Sequence, residues 1–147
     1  MNAKSAFRLL ITVAAAFVFW TLLNRFVLDP DASVFLSYKT KLTRQMNLPV
    51  WLTMLNVHVI FACIAIAAGA INFASAKLRK YRKTHRILGY VYVVDVLAVC
   101  ITSDYMAPFA TGGKVVSVAF NLLNIIWIFI TANAYLDRQG RVENHRR

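Results

Sequence analysis

Acidic residues and cysteines are both scarce in this chain of 147 residues, and each scarcity closes off a class of function. Six Asp and Glu stand against 17 Lys and Arg, and charged residues of both signs make up only 16% of the sequence. No paired-carboxylate constellation, nucleophile triad or phosphate-cradling glycine loop is visible. The two cysteines, Cys63 and Cys100, lie inside apolar runs with no Cys or His at metal-ligand spacing. That pattern excludes a zinc motif and reads both thiols as small core hydrophobes. Prolines number three and glycines five, so helix breakers punctuate the chain at a few places only.

What the sequence has in excess is apolar surface. Hydrophobic residues are 59% of the chain, where a soluble domain carries about 45–50%. A chain this short cannot hide that excess in one water-excluded core, and a bilayer is the solvent that accommodates it. The formal charge of +11 raises nucleic acid as a partner, but no nucleic-acid motif is present. The basic residues instead crowd beside long apolar runs, which points to membrane topology and anionic headgroups.

Crossing the hydrocarbon takes about 20 apolar residues in a helix. Four stretches qualify, at about 7–28, 50–76, 87–106 and 115–136, so the expected fold is an all-α integral membrane protein, a four-helix transmembrane bundle in a single domain over 1–147. The third stretch is the weakest because Asp95 falls near its middle and Asp104 near its end. Pro30, Pro49 and Pro108 all lie outside the spans, and Gly112-Gly113 precedes the last one. Arg8 and Arg25, near the ends of the first span, are expected to snorkel to the interface. No small-x-small cleavage site follows the first apolar core, so it reads as a retained anchor. Between the first two spans, Asp29 to Ser33 carries helix-start chemistry. Phe35, Tyr38, Leu42 and Met46 then recur at helical spacing, predicting a short interfacial amphipathic helix at about 33–46.

Orientation follows from the basic residues. Lys4, Arg8, the 77–86 cluster and Arg138, Arg141, Arg146 and Arg147 give twelve on one side, against five on the other (Arg25, Lys39, Lys41, Arg44 and Lys114). The positive-inside rule puts the larger set, and both termini, in the cytoplasm, with the inner, cytoplasmic membrane as the expected location. Trp51 and Tyr105 suit the outer interface, Tyr90 and Tyr135 the inner one. Lys77, Arg79, Lys80, Arg82, Lys83 and Arg86 form the densest cluster, expected to contact anionic lipid at about 1 kcal/mol per basic residue.

Polar groups inside a bilayer are costly, and each needs an account. Asp95 reads either as a proton or ion relay or as a structural carboxyl, held neutral or bonded to Asn or hydroxyl groups of adjacent helices. Asn56, Asn72, Asn121, Asn124 and Asn133 read as interhelical glue, and Gly69 among Ala65, Ala67, Ala68 and Ala70 as a close-packing surface. His58 lies about seven residues from the outer end of its span, roughly 10 Å deep, while His85 sits at the inner edge of the next. These two cannot share one metal or haem. His85 and His145 share a depth, so they are the pair through which this chain would hold a haem.

From His58 to Tyr92, with a further match at the C-terminus, the sequence resembles a bacterial membrane-protein family known as domain of unknown function 2306. The matching residues are His58, then Gly69, Asn72 and Phe73, then His85-Arg86, Gly89 and Tyr92, and finally His145-Arg146-Arg147. Asn72 stands where that family more often has Gln. The family pattern continues past the position of Arg147, so the resemblance implies a short or C-terminally truncated member. It also implies a multi-span bundle with no established biochemical role.

Three functions are therefore in view. The first is a non-enzymatic membrane protein acting through helix packing, with a membrane-protein partner or a second copy. The second is a haem- or metal-handling redox protein or assembly factor using His85 and His145, with His58 in a separate site. The third is a proton-coupled transport element centred on Asp95, in which Asn72 and His58 are further embedded polar groups. Topology reporters fused at Lys80 and near Lys41 should report opposite sides of the membrane; signals from the same side would overturn the four-span reading.

Overall fold

The computed structural model describes residues 3–39, 45–75 and 82–144. It consists of helices with no strand among the described residues, and four of those helices are long and apolar enough to cross a membrane. Helix α1 (Ala3–Leu23) runs on into a π-helical turn, Asn24–Leu28, closed by the Asp29 amide donating to Asn24 O at 2.8 Å. A short helix α2 (Ser33–Ser37) follows, and then α3 (Leu48–Ser75), α4 (Arg82–Met106) with a 3-10 turn Ala107–Phe109, and α5 (Gly113–Asn144). The apolar spans are Ser5–Leu28, Leu48–Phe73, Lys83–Phe109 and Gly113–Leu136. Pro49 enters α3 at its first turn, where its missing N–H costs nothing.

The interfacial helix is shorter than expected. It closes at Ser37, and residues 45–47 carry no regular structure, while 40–44 lie outside the described residues. Its start is built as expected from Asp29, whose Oδ1 accepts from the Ser33 amide (2.7 Å) and hydroxyl (2.8 Å) and whose Oδ2 accepts from the Val34 amide (3.0 Å). Those donors, the Ser33 amide foremost, hold the Asp29 carboxyl below its ordinary range. Its end comes early because Lys39 turns inward instead of lining a polar face. At the other short turn Gly113 takes φ +68°, and a Cβ at Gly112 would fall 2.1 Å from Val116 Cγ2, so both positions demand glycine.

Helices α3 and α4 form the most extensive pairing, with α1 packed on α3 and α5 on α4. Their antiparallel register is set by His58 against Thr102 and by Gly69 against Tyr92. Along α3 the stripe Trp51, His58, Ala65, Asn72 repeats every seven residues, the spacing that keeps one face on a neighbouring helix. Ala65 and Ala68 are buried, and a Cβ added at Gly69 would sit 3.4 Å from the Tyr92 ring, so the expected small-residue surface is where α4 approaches. The α1–α3 contact is marked by Phe7 stacked on Phe73, with centroids 6.5 Å apart. Tyr90 meets Tyr135 edge-on at 6.1 Å, placing both tyrosines at one end of the bundle. An apolar cleft of about 360 Å³ reaches all four long helices, from Leu10 and Ala14 across Ala65, Gly69 and Val96 to Trp127.

Close approach at Gly69 makes a graded prediction. Gly69→Ala should leave thermal unfolding of the detergent-solubilised protein nearly unchanged. Gly69→Leu, overpacking against Tyr92, should cost about 1–3 kcal/mol. Equal stability of the two variants would contradict the packing described.

Candidate functional site

Most of the polar side chains buried among the spans lie toward the end of the bundle that carries α2. His58 Nδ1 lies 3.0 Å from Thr102 Oγ1, and that hydroxyl also lies 2.8 Å from Ala98 O and 3.0 Å from Val99 O on its own helix. A threonine hydroxyl has one proton, and the α4 carbonyls take it. The imidazole therefore donates from Nδ1–H, which leaves Nε2 as an acceptor. His58 borders a cavity of about 210 Å³ together with Phe35, Lys39, Trp51, Ser103 and Phe120.

Lys39 closes this cavity. Its ammonium donates to Phe109 O and lies 4.9 Å from the ring centroids of both Phe35 and Trp51, which themselves stack at 5.5 Å. Two aromatic faces and one carbonyl thus hold a cation that is buried. Burial pushes the Lys39 ammonium below its usual range. Trp51 is only 1% exposed, and its indole N–H finds no partner among the described residues. The cavity thus has an acceptor, an unused donor and a cation on apolar walls, a combination suited to a small polar group on an apolar body.

The seam between α4 and α5 is polar at the same seven-residue spacing, through Ser117, Asn124 and Thr131. Ser117 Oγ donates to Ala107 O at 2.6 Å. Asn124 Nδ2 donates to Asp104 Oδ1 at 2.7 Å and lies 3.5 Å from Cys100 O. Asn124 thus acts as the interhelical glue expected of it. Both cysteines are free and buried.

Asp95 occupies the middle of the α3–α4 seam at the level of Ala65. It is 4% exposed, and its Oδ2 has no hydrogen-bond partner among the described residues. No bond to an Asn or hydroxyl of an adjacent helix is formed at that oxygen; Asn124, on the α4–α5 seam, is engaged by Asp104. Asn72 lies one heptad beyond Ala65 on α3, half-buried.

His85 is half-buried in the first turn of α4, 17 residues and roughly 25 Å of helix from Thr102, so it stands well apart from His58. His145 lies outside the described residues, as do Lys77, Arg79 and Lys80. Lys83 and Arg86 are exposed on the first turns of α4, which Arg82 opens. No group of three metal-ligating side chains occurs among the described residues.

Two buried cations escaped sequence reasoning. Arg25, expected to snorkel, is folded back and 8% exposed, with Nη1 donating to Asp29 O at 2.9 Å and to Pro30 O. Lys39 counted toward topology and toward the polar side of the interfacial helix. The usable signals were local: an Arg one turn inside an apolar run and just ahead of Asp-Pro, and a Phe–Lys pair four residues apart.

A family model described as "Predicted membrane protein (DUF2306)" matches residues 55–147. The chain belongs to this family. Within the matched DUF2306 region lie His58, Asp95, Thr102, Asp104 and Asn124; Arg25, Lys39 and Trp51 lie before it. No curated protein and no solved structure matches the chain.

If Asn124 and Asp104 hold α5 to α4 through one bond, Asn124→Leu and Asp104→Leu should be non-additive. A double-mutant cycle on thermal unfolding should give a coupling of about 1 kcal/mol. Strict additivity would show that the contact carries no energy.

Proposed function

We propose that this DUF2306 chain is a non-enzymatic component of the cytoplasmic membrane that works by packing against another membrane-embedded helix. The observation that carries the reading is Asn121. It lies near the middle of the Gly113–Leu136 span, and its side chain is exposed with no partner among the described residues. An unpaired amide facing hydrocarbon is costly. Asn124, three residues on, meets that cost by bonding α4; Asn121 meets it by bonding a helix from outside the chain. Positive-inside counting supports an orientation with both termini and the basic 77–86 cluster in the cytoplasm and α2 on the outer side.

A second reading rests on Asp95. A buried carboxyl with an orphan oxygen, two turns deeper on the same seam as His58, suits a group that gains and loses a proton within the membrane. It supports a proton-coupled role, which Asp95→Asn would abolish in a proton-flux assay on reconstituted vesicles; unchanged flux in the variant would remove this reading.

A photocrosslinking side chain at position 121 or 125, one turn apart on the same face, should capture a partner in native membranes. One at position 130, on the opposite face, should not. A product at twice the chain's 16.6 kDa would mean a second copy, and a product of another mass a different membrane protein. Absence of any face-specific product would reject helix packing as the function.

A further inference from the structure

The end of α1 holds a buried charge that its own contacts do not use up. The π-helical turn widens the helix at Asn24–Leu28 and swings Arg25 inward, where Nη1 meets the carbonyls of Asp29 and Pro30. Nε and Nη2, by contrast, are buried with no hydrogen-bond partner among the described residues. These two nitrogens form one edge of the guanidinium, the edge whose parallel N–H groups match two oxygens of a carboxylate or phosphate. Asp29, the nearest acid along the chain, feels the Arg25 charge, but its oxygens take their hydrogen bonds from Ser33 and Val34 and none from the guanidinium.

Arg25 also borders a cavity of about 460 Å³ whose walls divide by character. Thr21, Asn24 and Asp29 give it a polar side, while Trp20, Leu55 and Val59 give it an apolar one. The site lies at the end of an apolar span, the depth at which phospholipid headgroups meet acyl chains. A ligand that satisfies the free edge and covers the apolar wall must carry an oxyanion and a hydrocarbon chain together.

We propose that the cavity beside Arg25 binds an anionic phospholipid, its phosphodiester oxygens paired with Nε–H and Nη2–H and an acyl chain lying along Trp20, Leu55 and Val59. Lys39, buried nearby against Phe35, a residue shared by the walls of both cavities, adds positive charge that favours the anion. This assignment is independent of the Asn121 helix contact, which lies on a different helix and at a different depth.

Native mass spectrometry of the full chain in detergent, supplied with equal amounts of phosphatidylglycerol and diacylglycerol, which lacks the phosphodiester, tests it. The wild-type protein should retain phosphatidylglycerol in preference by about tenfold, the size of one charge-assisted contact near 1.4 kcal/mol. Arg25→Lys keeps the charge and a donor for the two carbonyls but lacks the paired edge, and should lose the preference. Val59→Trp fills the apolar wall without touching Arg25 and should lower retention of phosphatidylglycerol to a similar extent. Wild-type-like preference in both variants would overturn the proposal. So would equal retention of the two lipids by the wild-type protein, or displacement of phosphatidylglycerol by millimolar inorganic phosphate, which would make the site one for a free anion.

Discussion

The close approach of α4 to α3 is the constraint on which the other contacts rest. In a bilayer, helices gain nothing by leaving hydrocarbon for one another's apolar side chains, so association depends on tight packing and on hydrogen bonds. Ala65, Ala68 and Gly69 supply the first, and His58 with Thr102 the second. Once α4 lies close, its end carries Phe109 O to where Lys39 can reach it, and α2 folds down over Trp51. Helices α1 and α5 then attach on α3 and α4 respectively, and the apolar cleft runs across all four.

The four spans were legible in the sequence because hydrocarbon thickness fixes a minimum apolar length, and no local contact can substitute for it. The small-residue surface was legible for a related reason: a cluster of Ala and Gly in an apolar helix has no other use as good as close packing. The interfacial helix was legible at its start and misjudged at its end. Capping chemistry at Asp29 is local, but the termination depends on where the Lys39 ammonium goes, which is decided by a carbonyl seventy residues away. Arg25 was misjudged because snorkelling assumes a straight α-helix; a π-helical turn redirects the side chain inward. For Asp95, the sequence marked a costly group, but only the packed seam shows that its Oδ2 meets no donor among the described residues.

The polar groups inside the spans divide into two sets. Thr102, Ser117 and Asn124 bond within the chain and fix helix against helix. Arg25 at its free edge, Trp51 at its indole N–H, Asn56 at Oδ1, Asp95 at Oδ2 and Asn121 are left with capacity unused among the described residues. Arg25 and Trp51 border cavities, Asn121 faces the bilayer, and Asp95 is enclosed in the central seam. Part of the residual hydrogen-bonding capacity thus lies where a second molecule, or a proton, can meet it.

The seven-residue polar spacing along α5 has a mechanical meaning. Ser117 bonds Ala107 O in the turn that follows α4, Asn124 bonds Asp104 on α4, and Thr131 is buried at the next heptad. If α5 slid along its axis by a single turn, about 5.4 Å, Asn124 would lose Asp104 and Ser117 would lose Ala107 O in a medium with no water to replace them. Small axial displacements are therefore penalised at two levels at once. The helix is notched: α5 can sit in its register or leave it altogether, and intermediate positions are the least stable.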